Sequence, residues 1–260
     1  MDPKLYDVYQ RIASMVGASA SVEPLQSVEA VYRHCRFWQP EALRVVLLAE
    51  SHVYTATEEL RNRVDLTPFG VEGAPSEYAR FVYCLGYGED DLVQGKITKN
   101  AGTWQFWRIF YSCVHPVSAQ TDYSPILKGG ERDFRRRVAN KLRVLREMKR
   151  RGIWLVDASV TALYTPLGQA TASSTKGVAN KARRDAMEFA IRECWQNLWE
   201  PELRALEPRH ILCIGRDVYR FLGDHLQRIF PASVTVIEQP NARLDGPVTG
   251  KISRFAARSV

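Results

Sequence analysis

Several features that would class a sequence quickly are missing from this one. No apolar run approaches the ~20 residues that a membrane-spanning helix needs. The N-terminal stretch MDPKLYDVYQRIASMV carries two acidic residues and no small-residue cleavage site behind an apolar core, so no secretory signal is expected. A soluble, cytoplasmic protein with no membrane partner is the expectation. Cysteine is sparse: Cys35, Cys84, Cys113, Cys194 and Cys213 are odd in number, and no two are spaced C-x-x-C. A disulfide framework and a structural zinc site are therefore unsupported, and buried thiols are expected. No G-x-G-x-x-G follows an apolar run and no P-loop is present, which excludes the two commonest phosphate-cradling motifs. Internal repeats, low-complexity tracts and an interdomain linker are absent as well.

What remains is an ordinary globular composition, 45% hydrophobic and 25% charged over 260 residues, which excludes a disordered, collagen-like or rod-like chain. Lys and Arg number 36 against 29 Asp and Glu, a net charge of +7. An excess of this sign suits a polyanionic partner, nucleic acid first. Residues 131–151, ERDFRRRVANKLRVLREMKRR, hold ten basic and three acidic residues. Within them Phe134, Val138, Leu142, Leu145 and Met148 recur at steps of three and four, the mark of one buried helical stripe. The basic residues are then expected on the outer face, either against phosphates or simply in solvent. Arg135 and Arg136 are the candidates there, with Lys181 and Arg184 beside a loop-like stretch at 170–177.

Four short apolar runs read as strands: 44–49 (RVVLLA), 153–158 (IWLVDA), 210–215 (HILCIG) and 233–238 (SVTVIE). Continuous rather than alternating apolar character suits a parallel sheet covered on both faces. Helical periodicity at 5–16, 103–113, 131–151, 179–198 and 216–229 separates them. The alternation predicts a single α/β domain over 1–260, a three-layer αβα sandwich on a central four-stranded parallel sheet, with 1–43 as an N-terminal helical extension. In such sheets ligands bind beyond the carboxyl ends of the strands. That rim gathers Glu50, Ser51, His52 and Tyr54, then Asp157, Ser159 and Thr161, then Gly215 and Arg216, and finally Gln239, Pro240, Asn241 and Arg243.

Here the chain resembles the uracil-DNA glycosylase superfamily. VVLLAESHVY (45–54) stands where that family runs a strand into its water-activating loop, G-Q-D-P-Y or G-E-x-P-G. GIWLVDASVTALY (152–164) is similar to the strand ending in a pyrimidine-reading Asn, and HILCIGRDVYRFLG (210–223) to the third strand and its helix. QPNARLDG (239–246) takes the place of the H-P-S loop. The four come in the family's order. The resemblance implies a monofunctional glycosylase that flips a pyrimidine out of DNA and hydrolyses its N-glycosidic bond without metal or cofactor. Some branches carry an iron–sulfur cluster on four cysteines, and the cysteine spacing here does not match.

The departures from the family pattern bear on the substrate. The family's water-positioning Asp is replaced by Ser51, so Glu50 or His52 would have to supply the base. The Tyr that blocks the C5 face of the base is replaced by Val53, which leaves room for a C5 substituent. The base-reading Asn is replaced by Asp157. An ionised carboxylate only accepts hydrogen bonds, which opposes uracil O4 and suits the N4 amine of cytosine; a protonated one could also donate to N3, and a plain turn cap is the other role open to it. Gln239 replaces the loop His as a neutral donor to the leaving base. Asn241, Arg243 and Leu244 stand where the family wedges into the duplex, although Leu244 could equally be a packed loop residue. Phe69 or Tyr83 would stack on the flipped base, with Asn100 a further polar wall. The reaction implied is excision of a C5-modified cytosine, such as the hydroxymethylated or glucosylated bases of phage DNA, as antiviral defence. Excision of uracil or another deaminated base in repair, a catalytically inactive DNA-binding homologue and an enzyme of free nucleotides are the alternatives. DNA is the one partner expected, as duplex with a flipped base or as single strand, and no obligate protein partner is evident.

Overall fold

The computed structural model describes residues 2–16, 21–97, 103–116, 118, 120–164, 173–230 and 234–237, the side chains of 173–180 excepted. In chain order the helices are α1 (Pro3–Val16), α2 (Leu25–Phe37), α3 (Trp104–Val114), α4 (Phe134–Arg150), α5 (Ser173–Cys194), α6 (Glu200–Leu206) and α7 (Arg216–Ile229). The strands are β1 (Ser21–Val22), β2 (Val45–Ala49), β3 (Arg63–Val64), β4 (Val93–Gln94), β5 (Ile153–Asp157), β6 (Leu163–Tyr164), β7 (His210–Ile214) and β8 (Val234–Ile237).

The expected parallel sheet is present, in the order β5-β2-β7-β8. Register pairs Ala49 with Asp157 and Leu48 with Cys213, so all carboxyl ends lie at one rim. Two antiparallel ribbons, β1 with β6 and β3 with β4, lie outside it. The runs VVLLA and IWLVD are buried at every position, because helices cover both faces. Right-handed crossovers put the helices joining β2 to β5 on one face and those leading on to β7 and β8 on the other. Accordingly α3 packs with α4, and α5 with α1 and α7. The edge strand β8 departs from expectation, since Val236 is exposed and only Ile237 of the strand is fully buried.

The other sheet edge is closed by side chains. The outward N–H of Leu155 in β5 donates to the Tyr83 hydroxyl at 2.8 Å, and the Leu155 carbonyl faces the Cys35 thiol at 3.5 Å. An exposed strand edge invites pairing with other chains, and Tyr83 caps this one. The tight link from α4 into β5 turns on Gly152, whose φ is +74° and whose added Cβ would lie 2.3 Å from the Ala42 carbonyl.

Two helices differ from their expected form. The helix expected at 179–198 begins earlier, at Ser173, so 173–177 is helical rather than loop. It passes through a wide turn at Trp195–Trp199 before α6. Pro201 explains that turn, because its ring collides with a carbonyl one α-turn back and it has no N–H to give. In α4, Asp133 caps the N-terminus through Arg136 N–H at 3.0 Å. The expected stripe of Val138, Leu142, Leu145 and Met148 is buried, with Phe134 half-buried. The outward basic face is only partial, since Arg137 and Lys141 are buried too. They hold Glu89, itself fully buried, through Arg137 Nε and Nη2 at 2.6–3.0 Å and Lys141 Nζ at 2.5 Å.

Helices α1 and α2 share one hydrophobic core with the sheet through Leu5, Val8, Ile12, Val28 and Val31. Among the described residues no helix is long and apolar enough to cross a membrane. The five cysteines are buried and free.

Candidate active site

At the sheet's rim, β2 ends in Ala49 and the chain leaves through Glu50, Ser51 and His52. Backbone bonds from Ala158 N–H to the Ala49 carbonyl (2.7 Å) and from Ser159 N–H to the Glu50 carbonyl (2.9 Å) extend the β2–β5 pairing past the strands. Glu50 and Asp157 are thereby fixed on adjacent strand ends.

The His52 ring is fully buried between two carboxylates. Its Nε2 lies 2.6 Å from Glu23 Oε1 and its Nδ1 3.1 Å from Asp157 Oδ2. A neutral imidazole would turn a lone pair toward one of these acceptors, so the geometry calls for the imidazolium, which donates from both nitrogens. Burial alone would pull the His52 pKa down. Glu23 and Asp157 outweigh it and push the value up to about 10. His52 therefore cannot serve as the general base allowed for it by its position beside Ser51: its proton is held, and no ring nitrogen is left for water.

Glu23 was not anticipated as a site residue. It lies between β1 and α2, and its partner His52 is 29 residues away in sequence. Its carboxylate also accepts from Ser27 Oγ at 2.7 Å and Ala162 N–H at 2.7 Å. No local pattern marks it, apart from a Glu before Pro24 at a helix start.

Asp157 is buried, with 6% of its side chain exposed. Burial raises its pKa, and the hydrogen bond and charge of His52 pull it partly back. The His52 side chain and backbone N–H both donate to it. A carboxylate has about four acceptor sites, and among the described residues only His52 donates to Asp157, which leaves it acceptor capacity. Facing an imidazolium, it is an acceptor first; donation to a base nitrogen would require a proton that His52 disfavours. Its bond to His52 spans two strand ends, which is more than the cap of a following turn.

Glu50 is half-buried. Burial raises its pKa, the charges of Asp217 and Asp157 add to the rise, and Arg183 opposes it. A carboxylate whose pKa is raised in this way is a stronger proton acceptor than a free one. Ser51 is half-buried, and Val53, whose N–H donates to the Arg80 carbonyl, is 41% exposed. Tyr54 packs against Tyr164, ring centres 5.4 Å apart.

Neither expected stacking aromatic reaches this group. Tyr83 is buried as the cap of β5, which corrects its assignment to the base. Phe69 sits in a short turn at Thr67–Phe69, edge-on to Phe134 of α4. The ring that adjoins His52 is Phe81, edge-on at 6.0 Å and in turn edge-on to Tyr83 at 5.4 Å. Phe81 lies two residues from a residue singled out in sequence, and only the turn at 79–84 decides which ring points inward.

Among the proposed DNA contacts, Arg135 and Arg136 are exposed on the first turn of α4, and Lys181 and Arg184 are exposed on α5, with Lys181 paired to Asp185 at 2.7 Å. Asn100, Gln239, Asn241, Arg243 and Leu244 lie outside the described residues. Among the described residues no cluster of three or more His, Cys, Asp or Glu could hold a metal ion. Compared with known families and proteins, the chain matches no protein-family model and no curated protein.

Proposed function

We propose that this protein is a DNA glycosylase that removes a C5-modified cytosine, in keeping with the motif order of the uracil-DNA glycosylase superfamily. The observation that carries the reading is the Glu23–His52–Asp157 clasp at the carboxyl end of β2 and β5. It holds Asp157 as an acceptor where that family reads the base. An acceptor there pairs with the cytosine N4 amine and opposes uracil O4. Glu50, on the neighbouring strand end, takes a proton from water as the water oxygen bonds to C1′ of the sugar. The C1′–N bond electrons pass to the departing base, and Gln239 of the 239–246 loop donates to it. The Glu50 charge also stabilises the cationic sugar of the transition state. Val53 leaves space at C5, and Arg135, Arg136, Lys181 and Arg184 meet phosphates. In a cytoplasm invaded by phage DNA with hydroxymethylated or glucosylated cytosine, this chemistry is defence.

The test is incubation with duplex and single-stranded oligonucleotides carrying 5-hydroxymethylcytosine, glucosylated hydroxymethylcytosine, cytosine or uracil, read out as alkali-labile abasic sites. Cleavage at a modified cytosine and none at uracil is expected. Cleavage confined to uracil would replace this reading with repair of a deaminated base.

A second reading has its own observation. Both His52 nitrogens are taken and Glu23 is fully buried with three donors, so the clasp also suits a purely structural role in an inactive DNA-binding homologue. Tight DNA binding with no abasic product from any of these substrates would favour it.

A further inference from the structure

A cavity of about 620 Å³ lies between the start of α3, the first half of α4 and the loop at 121–130. The α4 C-terminus turns straight into β5, and Arg151 Nη1 reaches the Cys113 carbonyl at the end of α3. Both helices therefore begin at the end of the molecule that carries Glu50 and Asp157. The cavity uses other elements than that site, and its volume falls in the range of small-molecule pockets.

Arg108 is its distinctive group. The guanidinium carbon sits 4.8 Å from the centre of the Trp104 ring and 5.2 Å from that of Tyr123. Its Nε is buried with no hydrogen-bond partner among the described residues. A guanidinium held by aromatic faces is fixed in place by packing, and a buried donor without a partner is costly until an acceptor arrives. The other charged groups of the lining are already engaged. Lys141 lies over Trp107 and is bound by Glu89, Lys128 reaches Asp90 at 3.2 Å, and Asp122 is folded onto Ser124 N–H and Oγ. The loop wall is closely packed: Glu131 N–H donates to the Ser124 carbonyl, and a Cβ added at Gly130 would come within 2.2 Å of Ser124. Trp104 and Leu127 supply the accessible apolar surface, with the buried Trp107 and Ile126 behind them.

We propose that this cavity binds a nucleotide, with the phosphate on Arg108 and the base against the indole and aliphatic walls. The planar fork of arginine matches phosphate oxygens, and aromatic walls accept any base by stacking. The nucleotide is either free or a unit of a DNA strand passing the rim. The inference is independent of the excision chemistry, because it rests on the cavity and Arg108 alone.

Calorimetric titration of the full chain with deoxycytidine and thymidine monophosphates, the matching nucleosides and a short oligothymidylate tests it. The monophosphates or the oligothymidylate should bind, and the nucleosides should bind at least about tenfold more weakly. Arg108→Met should weaken phosphate-bearing ligands by about 10- to 100-fold, as loss of a hydrogen bond to a charged group does, and Arg108→Lys by less. Binding of the oligothymidylate alone assigns the cavity to a strand, and binding of the monophosphates assigns it to free nucleotides as well. Circular dichroism checks that Arg108→Met folds; if it does not, Arg108→Lys, which keeps a cation by the rings but loses the planar fork, should still weaken phosphate-bearing ligands severalfold. Equal binding of nucleoside and nucleotide, no binding of any phosphate-bearing probe, or a folded Arg108→Met that binds like the wild type would overturn the proposal. The titration requires no turnover, so a protein that excises no base still passes or fails it.

Discussion

Two buried charge clusters in this molecule are near mirror images. At the rim, one cation, His52, lies between two carboxylates, Glu23 and Asp157. Under α4, one carboxylate, Glu89, lies between two cations, Arg137 and Lys141. The second cluster is complete: Glu89 accepts four bonds and is fully buried, which leaves no lone pair for anything else. The first is incomplete on one side only. Glu23 is fully buried and accepts three hydrogen bonds, and His52 has spent both nitrogens, yet Asp157 accepts only from His52 among the described residues and keeps a small exposed area. Burial and pairing are common to both, so neither identifies a site. What separates them is that Asp157 keeps a small exposed area and Glu89 none.

The largest expected effect falls on the closed cluster. Glu89→Ala strands two buried cations and should cost about 3–5 kcal/mol of stability, measured by urea unfolding, with Arg137→Met in the same chain restoring part of it. A loss under 1 kcal/mol would mean that water reaches the cluster and that it is not closed.

Glu50→Gln should leave stability unchanged and slow base excision by about 10²-fold or more, in single-turnover assays. Since burial raises the Glu50 pKa, the acid limb of the wild-type rate should sit above the ordinary glutamate range. A limb at ordinary glutamate values would separate Glu50 from the proton transfer.

The clasp makes stability depend on alkaline pH. The His52 pKa is raised from 6.5 to about 10 in the folded protein. Its contribution is therefore complete below pH 6.5 and is lost as pH rises toward 10, at up to about 1.4 kcal/mol per pH unit. Denaturant melts at pH 6, 8 and 10 should show this decline in the wild type and lose it in His52→Gln. The same slope in both would place the titrating group elsewhere.

Asp157→Asn removes one charge facing His52 and adds a donor. Discrimination between modified cytosine and uracil should shift toward uracil by about 1–3 kcal/mol, the worth of one base contact, read as a ratio of excision rates. An unchanged ratio would reduce the rim clasp to the same structural status as the Glu89 cluster.

The smallest effect concerns the surface. Arg135→Ala with Arg136→Ala should reduce the slope of log affinity for duplex DNA against log salt by up to about two, near one per phosphate contact. Arg137 belongs to the closed cluster, and its replacement should act on stability instead.

Part of this was readable from sequence and part was not, for reasons specific to each residue. The strands at 45–49 and 153–157 stood out because parallel strands covered on both faces are apolar throughout. The burial of Arg137 and Lys141 was readable in principle: both lie on the helical stripe set by Phe134, Val138, Leu145 and Met148, and their charge hid what their phase implied. Glu23 and Phe81 were not readable, since their partners lie far off in sequence or depend on a loop's path. The sequence by itself determined the alternating elements, the parallel sheet and the rim to which Glu50 and Asp157 belong, because local periodicity and strand direction suffice for those. Tertiary structure alone decided that His52 is a captive cation rather than a base and that Tyr83 closes a sheet edge. It also decided that Arg108 is held between two rings with a donor to spare. Protonation, pairing and residual hydrogen-bonding capacity belong to groups brought together in space, and no local pattern encodes them.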